Sequence, residues 1–201
     1  MTSTTAVPTL TMTWHGPFSF EPGAPNTLWV GPISDCCGIY LWTVPVGCGH
    51  LVHRVGGTGR PFWQAHHHHL EAYRRGEYPI HRAASLAAGR RDPLHRGLNS
   101  DREPRERQQA RFINQAPRLQ AELRATLSLL AAFLAPMESD CRHRQRIEAA
   151  LIAGLLKAGP EASALLDTRR VPRARSSAEI PIIVRAQAPA NVLGLTPEFE
   201  V

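Results

Sequence analysis

Residues 66–69 are four consecutive histidines, and histidine is the side chain that titrates near neutral pH and most often binds metals. Successive side chains of a helix point about 100° apart, so four in a row cannot chelate one ion together. His66 and His69 are three residues apart and do share a helix face. The run therefore predicts one functional histidine, with the others in solvent.

Cys36, Cys37, Cys48 and His50 form a second group of candidate metal ligands. Paired thiolates in zinc sites are usually separated by two residues, so that both reach the ion. Cys36 and Cys37 are adjacent and lack this spacing. A zinc site stays open as an alternative, but the spacing favours small apolar cysteines packed around a hairpin.

Glu148 follows Ile147 in a segment whose apolar residues recur at helical spacing. A carboxylate beside an apolar stripe needs a partner, because burying an unpaired charge costs free energy. Arg144, four residues earlier, would supply one in a solvent-facing ion pair. Tyr40 is open to two interpretations as well, because a tyrosine in a strand usually serves packing.

These candidates must be positioned by the elements around them. Two apolar runs joined by VGCG predict a β-hairpin over 38–45 and 50–56. Residues 62–76 are predicted to be a helix, because aromatic and aliphatic residues recur there at three- and four-residue intervals.

The following half of the chain is predicted to be mainly helical. Helices are predicted over 105–115, over 117–136 and over 140–158, the last capped by Ser139 or Asp140. One apolar stripe of the middle helix consists of Leu119, Leu123, Leu127, Leu130 and Leu134.

The remaining segments complete one α+β domain over residues 13–201. Residues 1–12 are expected to be a flexible lead-in, and 13–20 a strand or a docking arm. Residues 76–104 are expected to be a long basic loop with at most short helices, because they are rich in Gly, Pro and Arg. A final strand is predicted over 180–187.

The chain has 201 residues, enough for one domain with a sizeable core. Its 23 basic residues outnumber its 17 acidic ones, and Lys157 is the only lysine. Arginine binds phosphate through a planar fork, so the arginine-rich segments 74–111 and 169–175 are candidate nucleic-acid contacts with salt-dependent affinity. A genome composition biased toward arginine is the alternative explanation.

The sequence also bears on compartment. No apolar run reaches the roughly 20 residues of a membrane span. The first residues lack the basic region and apolar core of a signal peptide. We therefore expect a cytoplasmic protein with reduced thiols and no membrane partner.

Several of these motifs occur together in a specific order. Gly38-Ile39-Tyr40 begins one strand, and the next strand ends Arg54-Val55-Gly56. The sequence TGRPF at 58–62 then leads into the helix with His69, and RIEAALI at 146–152 lies far downstream. Over residues 11–158 this order resembles the GIY-YIG nuclease superfamily, in particular its standalone, mostly bacterial members.

The resemblance implies a small three-stranded antiparallel sheet flanked by helices. It also implies hydrolysis of DNA phosphodiester bonds with one divalent cation, Mg²⁺ or Mn²⁺. Tyr40 would help to activate water, and Glu148 would bind the metal. His69 and Arg60 would handle phosphate or proton transfer. Such a cation often takes only one or two carboxylates beside water and phosphate.

The chain departs from the family pattern at two positions. Arg54 stands where the family has its second tyrosine, and Ala65 stands where the family has a helix arginine. Arg54 could still contact phosphate, and Gly56 keeps the close backbone approach of the motif. Because removing one charge-stabilising group costs about 10²–10³ in rate, these two changes could leave the enzyme weakened.

Three hypotheses follow. The first is a metal-dependent endonuclease that acts on nucleic acid, with double-stranded DNA as the expected substrate. The second is a catalytically attenuated nucleic-acid-binding module on the same scaffold. The third is an interaction protein that docks through its leucine-striped helices at 117–158. The oligomeric state stays open.

Overall fold

The computed structural model describes residues 7–98, 104–168 and 171–201, and these residues form an α+β domain. The strands are β1 (Thr9–Thr13), β2 (His15–Ser19), β3 (Gly38–Val46), β4 (Gly49–Thr58), β5 (Ile80–His81), β6 (Pro93–His95), β7 (Ala131–Pro136), β8 (Ile183–Gln187) and β9 (Glu198–Glu200). The helices are α1 (Phe62–Arg74), α2 (Ala83–Ala87), α3 (Arg105–Asn114), α4 (Ala116–Leu129) and α5 (Cys141–Lys157).

The central sheet has the strand order β2-β7-β3-β4, and each neighbouring pair is antiparallel. The resemblance implied three antiparallel strands. The fourth is β2, which pairs with the outer edge of β7. Two smaller sheets, β1-β8-β9 and β5-β6, lie outside it.

The predicted helix over 117–136 is wrong in its last third. Helix α4 ends at Leu129, and residues 131–136 form β7 in the middle of the sheet. Four successive residues of β7, Ala132 to Ala135, are fully buried. A strand that is buried on both faces has no alternating pattern, so periodicity cannot distinguish it from a buried helix.

The expected lead-in at 1–12 also differs from the structure. Residues 9–13 form β1, which pairs in parallel with β8, and Met12 is buried. The sequence TLTMT alternates polar and apolar residues, which is the pattern of a half-buried strand. Residues 1–6 lie outside the described residues.

The basic segment 76–104 is more ordered than expected. Besides the short helix α2 it contains β5 and β6, which pair as a small hairpin. Residues 99–103 are outside the described part. The helix predicted over 140–158 is α5, and Asp140 caps it by accepting a hydrogen bond from the backbone N–H of His143 at 2.8 Å.

Two apolar clusters fill the two faces of the central sheet. On one face, Ile39 and Leu41 of β3 pack with Ile147 and Leu151 of α5. On the other, Tyr40 and Trp42 pack with α1 and α4. Alternation along β3 therefore assigns neighbouring residues to different environments. Among the described helices none is long and apolar enough to cross a membrane.

Candidate active site

Strands β3 and β4 place Tyr40 opposite Gly56 and Trp42 opposite Arg54. A Cβ atom on Gly56 would lie 2.3 Å from Cζ and from the hydroxyl oxygen of Tyr40. Only a glycine leaves room for the phenol to lie against this strand. The close approach predicted at Gly56 is therefore present, and the group that approaches is the Tyr40 side chain.

A β-bulge in β4 directs Arg54 toward the same face. Trp42 pairs with Arg54 and the next residue, Thr43, pairs with Val52, so His53 is an extra residue. Bulges commonly redirect side chains in this way beside functional sites. The Arg54 guanidinium carbon lies 5.8 Å from the centre of the Trp42 ring and 4.9 Å from that of Tyr78. Its Nη1 atom is buried without a hydrogen-bond partner.

Helix α1 gives its four histidines different environments. His66 is fully buried, and its Nδ1 accepts a hydrogen bond from the Trp42 indole at 2.9 Å. His69 lies one turn further on, with its Nε2 atom 2.7 Å from the Tyr40 hydroxyl. His67 and His68 are exposed. The expectation that all but one of these histidines lie in solvent is wrong for His66, which is buried in the core, and holds for His67 and His68.

The protonation states in this network follow from burial and charge. Burial lowers the pKa of His69 to about 2, and the Arg54 charge acts in the same direction. Burial raises the pKa of Tyr40 to about 12, although Arg54 opposes the rise. At neutral pH the phenol therefore donates its proton to Nε2 of a neutral His69. The Nδ1–H of His69 is then free to donate to the Tyr78 hydroxyl at 3.3 Å.

The sequence analysis missed Tyr78. Its phenol contacts His69 and stacks with Arg54, so it brings a second tyrosine to the site. Gly76, at φ +74°, follows the end of α1 and turns the chain back along the helix. The glycine after Arg74-Arg75 is the one local signal of this reversal. That Tyr78 is the side chain which reaches the site depends on the β5-β6 sheet that follows it.

Glu148 approaches the site from α5, at the opposite side of β4. Its Oε2 atom lies 3.5 Å from where a Cβ of Gly57 would be, and the Gly57 N–H hydrogen-bonds to the carboxylate. Burial raises the pKa of Glu148 to about 7, and the charge of Arg54 only partly offsets this. Arg144 donates to the carbonyl of Ser139, and among the described residues it is not one of the groups that act on the Glu148 carboxylate. The solvent-facing pair considered above is therefore absent.

A cleft of about 350 Å³ opens beside the carboxylate. Its walls include Gly57, Gly59, Arg144 and Gln145, and Glu148 is the one carboxylate among the described residues that line it. No group of three or more His, Cys, Asp or Glu side chains in the described ranges could hold a metal. A half-buried carboxylate with few partners nevertheless fits Mg²⁺ or Mn²⁺, which bind through one carboxylate, water and a phosphate.

Not every predicted residue reaches this site. The Arg60 side chain is exposed, and its backbone is held by two hydrogen bonds to the Thr58 hydroxyl. Ala65 is half-buried on α1, one turn before His69. Cys48 is exposed and Cys37 donates to the Met137 carbonyl, and in the described ranges these cysteines belong to no group that could hold a metal.

Many arginines of the two basic segments have carboxylate partners. Arg74 pairs with Glu71, Arg82 with Asp92 and Arg175 with Glu200. Residues 169 and 170 of the second segment lie outside the described residues. The surface available to phosphate is therefore smaller than the arginine count suggests.

Comparison of the chain with protein-family models, with curated proteins and with solved structures gives no match. The functional interpretation consequently depends on the geometry of the site and on the motif resemblance.

Proposed function

We propose that the chain is a divalent-metal-dependent endonuclease of the GIY-YIG type that hydrolyses DNA phosphodiester bonds. One observation carries the proposal. Tyr40, Arg54 and Glu148 are far apart in the sequence and converge around Gly56 and Gly57. A phenol, a guanidinium and a carboxylate are the side chains that this hydrolysis requires.

The proposal includes the finer fold assignment. Strands β4, β3 and β7 would be the three antiparallel strands of the family, with β2 as an addition at the edge. Helix α1 would supply His69 from one face of this sheet, and α5 would supply Glu148 from the other.

Tyr40 and His69 would remove the proton from the attacking water. As the water oxygen attacks phosphorus, its proton moves to the Tyr40 oxygen while the phenol proton moves to Nε2 of His69. The bond from phosphorus to the leaving oxygen breaks, and that oxygen takes a proton from solvent. No phenolate has to form, which suits a phenol with a pKa of about 12. Because burial holds His69 neutral in the free protein, it would accept this proton only with the anionic phosphate bound beside it, which favours the imidazolium.

Arg54 would stabilise the charge that develops on the phosphoryl oxygens. Its unpartnered Nη1 is a buried donor already in place, and such preorganised donors are worth more than donors in water. In this role Arg54 would replace the arginine that is absent at Ala65. Tyr78 would supply the phenol that is absent at position 54.

Glu148 would hold the metal, which when bound lowers the pKa of water and stabilises the leaving oxygen. Because burial raises the pKa of Glu148 to about 7, part of the carboxylate is protonated at neutral pH in the free protein. Cation binding favours the ionised form, so metal binding and proton release would be coupled.

The attenuated binding module is the second candidate. The observation that favours it is the small side chain of Ala65, which leaves this turn of α1 without a guanidinium. The interaction-protein hypothesis loses support. Leu119 and Leu123 are buried in the chain's own core, and the end of their predicted helix is a strand.

Nicking of supercoiled plasmid with Mg²⁺ or Mn²⁺ tests these candidates, using the parent chain, Glu148→Ala and Ala65→Arg. We expect the parent to nick and Glu148→Ala to lose nicking while it keeps its fold and DNA binding. Unaltered cleavage by Glu148→Ala would refute the metal role. Nicking by Ala65→Arg alone would favour the attenuated module, and binding without nicking by all three would leave only binding as the function.

A further inference from the structure

A second concavity of about 430 Å³ lies along a different side of α1 from the candidate active site. His66 and His69 point toward the sheet, whereas His67, Leu70 and Arg74 line this groove. The spacing of three and four residues places the last three on one helix face. One helix thus separates the two sites.

The floor of the groove is apolar and partly aromatic. It is formed by the half-buried Trp29 and Leu127, with Phe20 and Leu70 almost fully buried beneath them. The Trp29 indole N–H donates to the Phe20 carbonyl at 2.8 Å, which fixes the orientation of the indole ring. A rigid aromatic surface of this kind suits a flat ligand that stacks, because little side-chain freedom is lost on binding.

The rim of the groove is mainly basic. His67, Arg74 and Arg124 are exposed there, together with Glu21. Arg74 is already paired with Glu71. Arg124 has no ion-pair partner among the described residues, so it is the cation that is available to an anionic ligand. Glu21 repels anions, which places the anionic part of a ligand beside Arg124.

We infer that this groove binds an unpaired nucleotide of a nucleic-acid strand, with its base against Trp29 and its phosphate at Arg124. The inference rests on nucleic acid being the substrate, as proposed above, but not on cleavage. Stacking accepts any base because every base has a π-face, and it contributes about 1–3 kcal/mol per base. A volume of about 430 Å³ lies within the range of small-ligand sites.

Trp63 extends the same face of the helix. It lies one turn before His67, and its side chain is 38% exposed. An exposed indole beside the groove offers a second stacking surface to the neighbouring nucleotide. The groove would therefore hold a short single-stranded segment and orient it relative to α1.

The test measures binding in EDTA, so that no cleavage takes place. The probe is a fluorescent single-stranded oligothymidylate of about 10 nucleotides, within the usual site sizes. Arg124→Glu is compared with Arg118→Glu, because both arginines are exposed on α4 and both variants change the charge equally. We expect Arg124→Glu to weaken binding about tenfold or more, and Arg118→Glu to change it by about twofold or less.

A second comparison separates stacking from general attraction of charge. Ser128→Trp fills the groove from its exposed rim. It should weaken binding of the oligothymidylate and leave binding of an abasic strand of equal length unchanged. The abasic strand should bind the parent protein about tenfold more weakly. Circular dichroism and thermal melting check that each variant is folded.

Equal weakening by Arg124→Glu and Arg118→Glu would overturn the inference, and so would equal affinity for the two strands. Binding of an acidic tyrosine-rich peptide without binding of oligothymidylate would assign the groove to a protein partner instead. If plasmid nicking fails while the two arginine variants still differ, the nuclease proposal fails and the groove assignment stands.

Discussion

The two faces of strand β3 are buried to the same degree but have different neighbours. Ile39 and Leu41 have no exposed surface, and aliphatic side chains of α5 cover them. Tyr40 and Trp42 point to the other face, where their polar atoms contact histidines of α1. Adjacent residues of one strand thus belong to an aliphatic core and to a polar network.

The two kinds of buried group contribute differently to the stability of the fold. Burial of apolar surface is the main favourable term in folding. Burial of polar groups contributes little, and it costs free energy where a partner is missing, as at Nη1 of Arg54 and Nε2 of His66. Apolar burial on both faces should therefore stabilise the fold, and the α1 face in addition holds the polar groups of the candidate site.

The largest effect on activity is expected from Tyr40→Phe on the polar face. The change removes one hydroxyl and its hydrogen bond to His69, and it keeps the ring that packs against Gly56. We expect nicking to fall by about 10²–10³, with little change in melting temperature. Single-turnover nicking rates and thermal melts provide the measurement. A variant that retains most of the parent's rate would remove Tyr40 from the mechanism.

Leu41→Ala makes the matching change on the aliphatic face. Truncating a fully buried leucine should lower the free energy of unfolding by about 2–5 kcal/mol. The nicking rate per folded molecule should stay within about twofold at a temperature where the variant remains folded. Urea unfolding followed by circular dichroism measures the first quantity. Loss of activity without loss of stability would show that the two faces do not differ in this way.

The local parts of this architecture could be predicted from the sequence. The hairpin follows from two apolar runs around a glycine turn, and α5 follows from its helical periodicity and the capping residue Asp140. The motif resemblance predicted Tyr40, His69 and Glu148 as candidate site residues. It also predicted Arg54 and Arg60, of which Arg60 is exposed. Strand β7 was not predicted, because its run of buried apolar residues has no alternation and alanine favours helices.

The rest depends on contacts between distant segments. The direction of Arg54 is set by a bulge at His53, and bulges leave no clear mark in a sequence of this composition. Tyr78 reaches the site only because the chain reverses after α1, inside a segment expected to be a loop. The motif resemblance therefore indicated Arg54 as a possible phosphate contact but not the side chains around it, and the second phenol, Tyr78, was missed.

Glu148 belongs to the helix of the aliphatic face, yet its carboxylate interacts with the charge of Arg54 on the other face. Its pKa is raised from the ordinary 4.5 to about 7, mainly by burial. Between these pH values the folded state holds a proton that the unfolded state has released. The extra stability that the folded state gains from holding this proton is therefore complete below pH 4.5 and is lost as the pH rises through 7.

Glu148→Gln cannot ionise and should not show this loss. Between pH 4 and pH 8 we expect the free energy of unfolding of the parent to fall by on the order of 2 kcal/mol more than that of Glu148→Gln. Urea denaturation at both pH values measures the change, and parallel pH profiles would show that Glu148 is not desolvated. At pH 8, added Mg²⁺ should raise the melting temperature of the parent but not of Glu148→Gln, because only an ionised carboxylate binds the cation well. An equal Mg²⁺ shift in both proteins would place the cation elsewhere, and Glu148 would then be a buried acid without a metal.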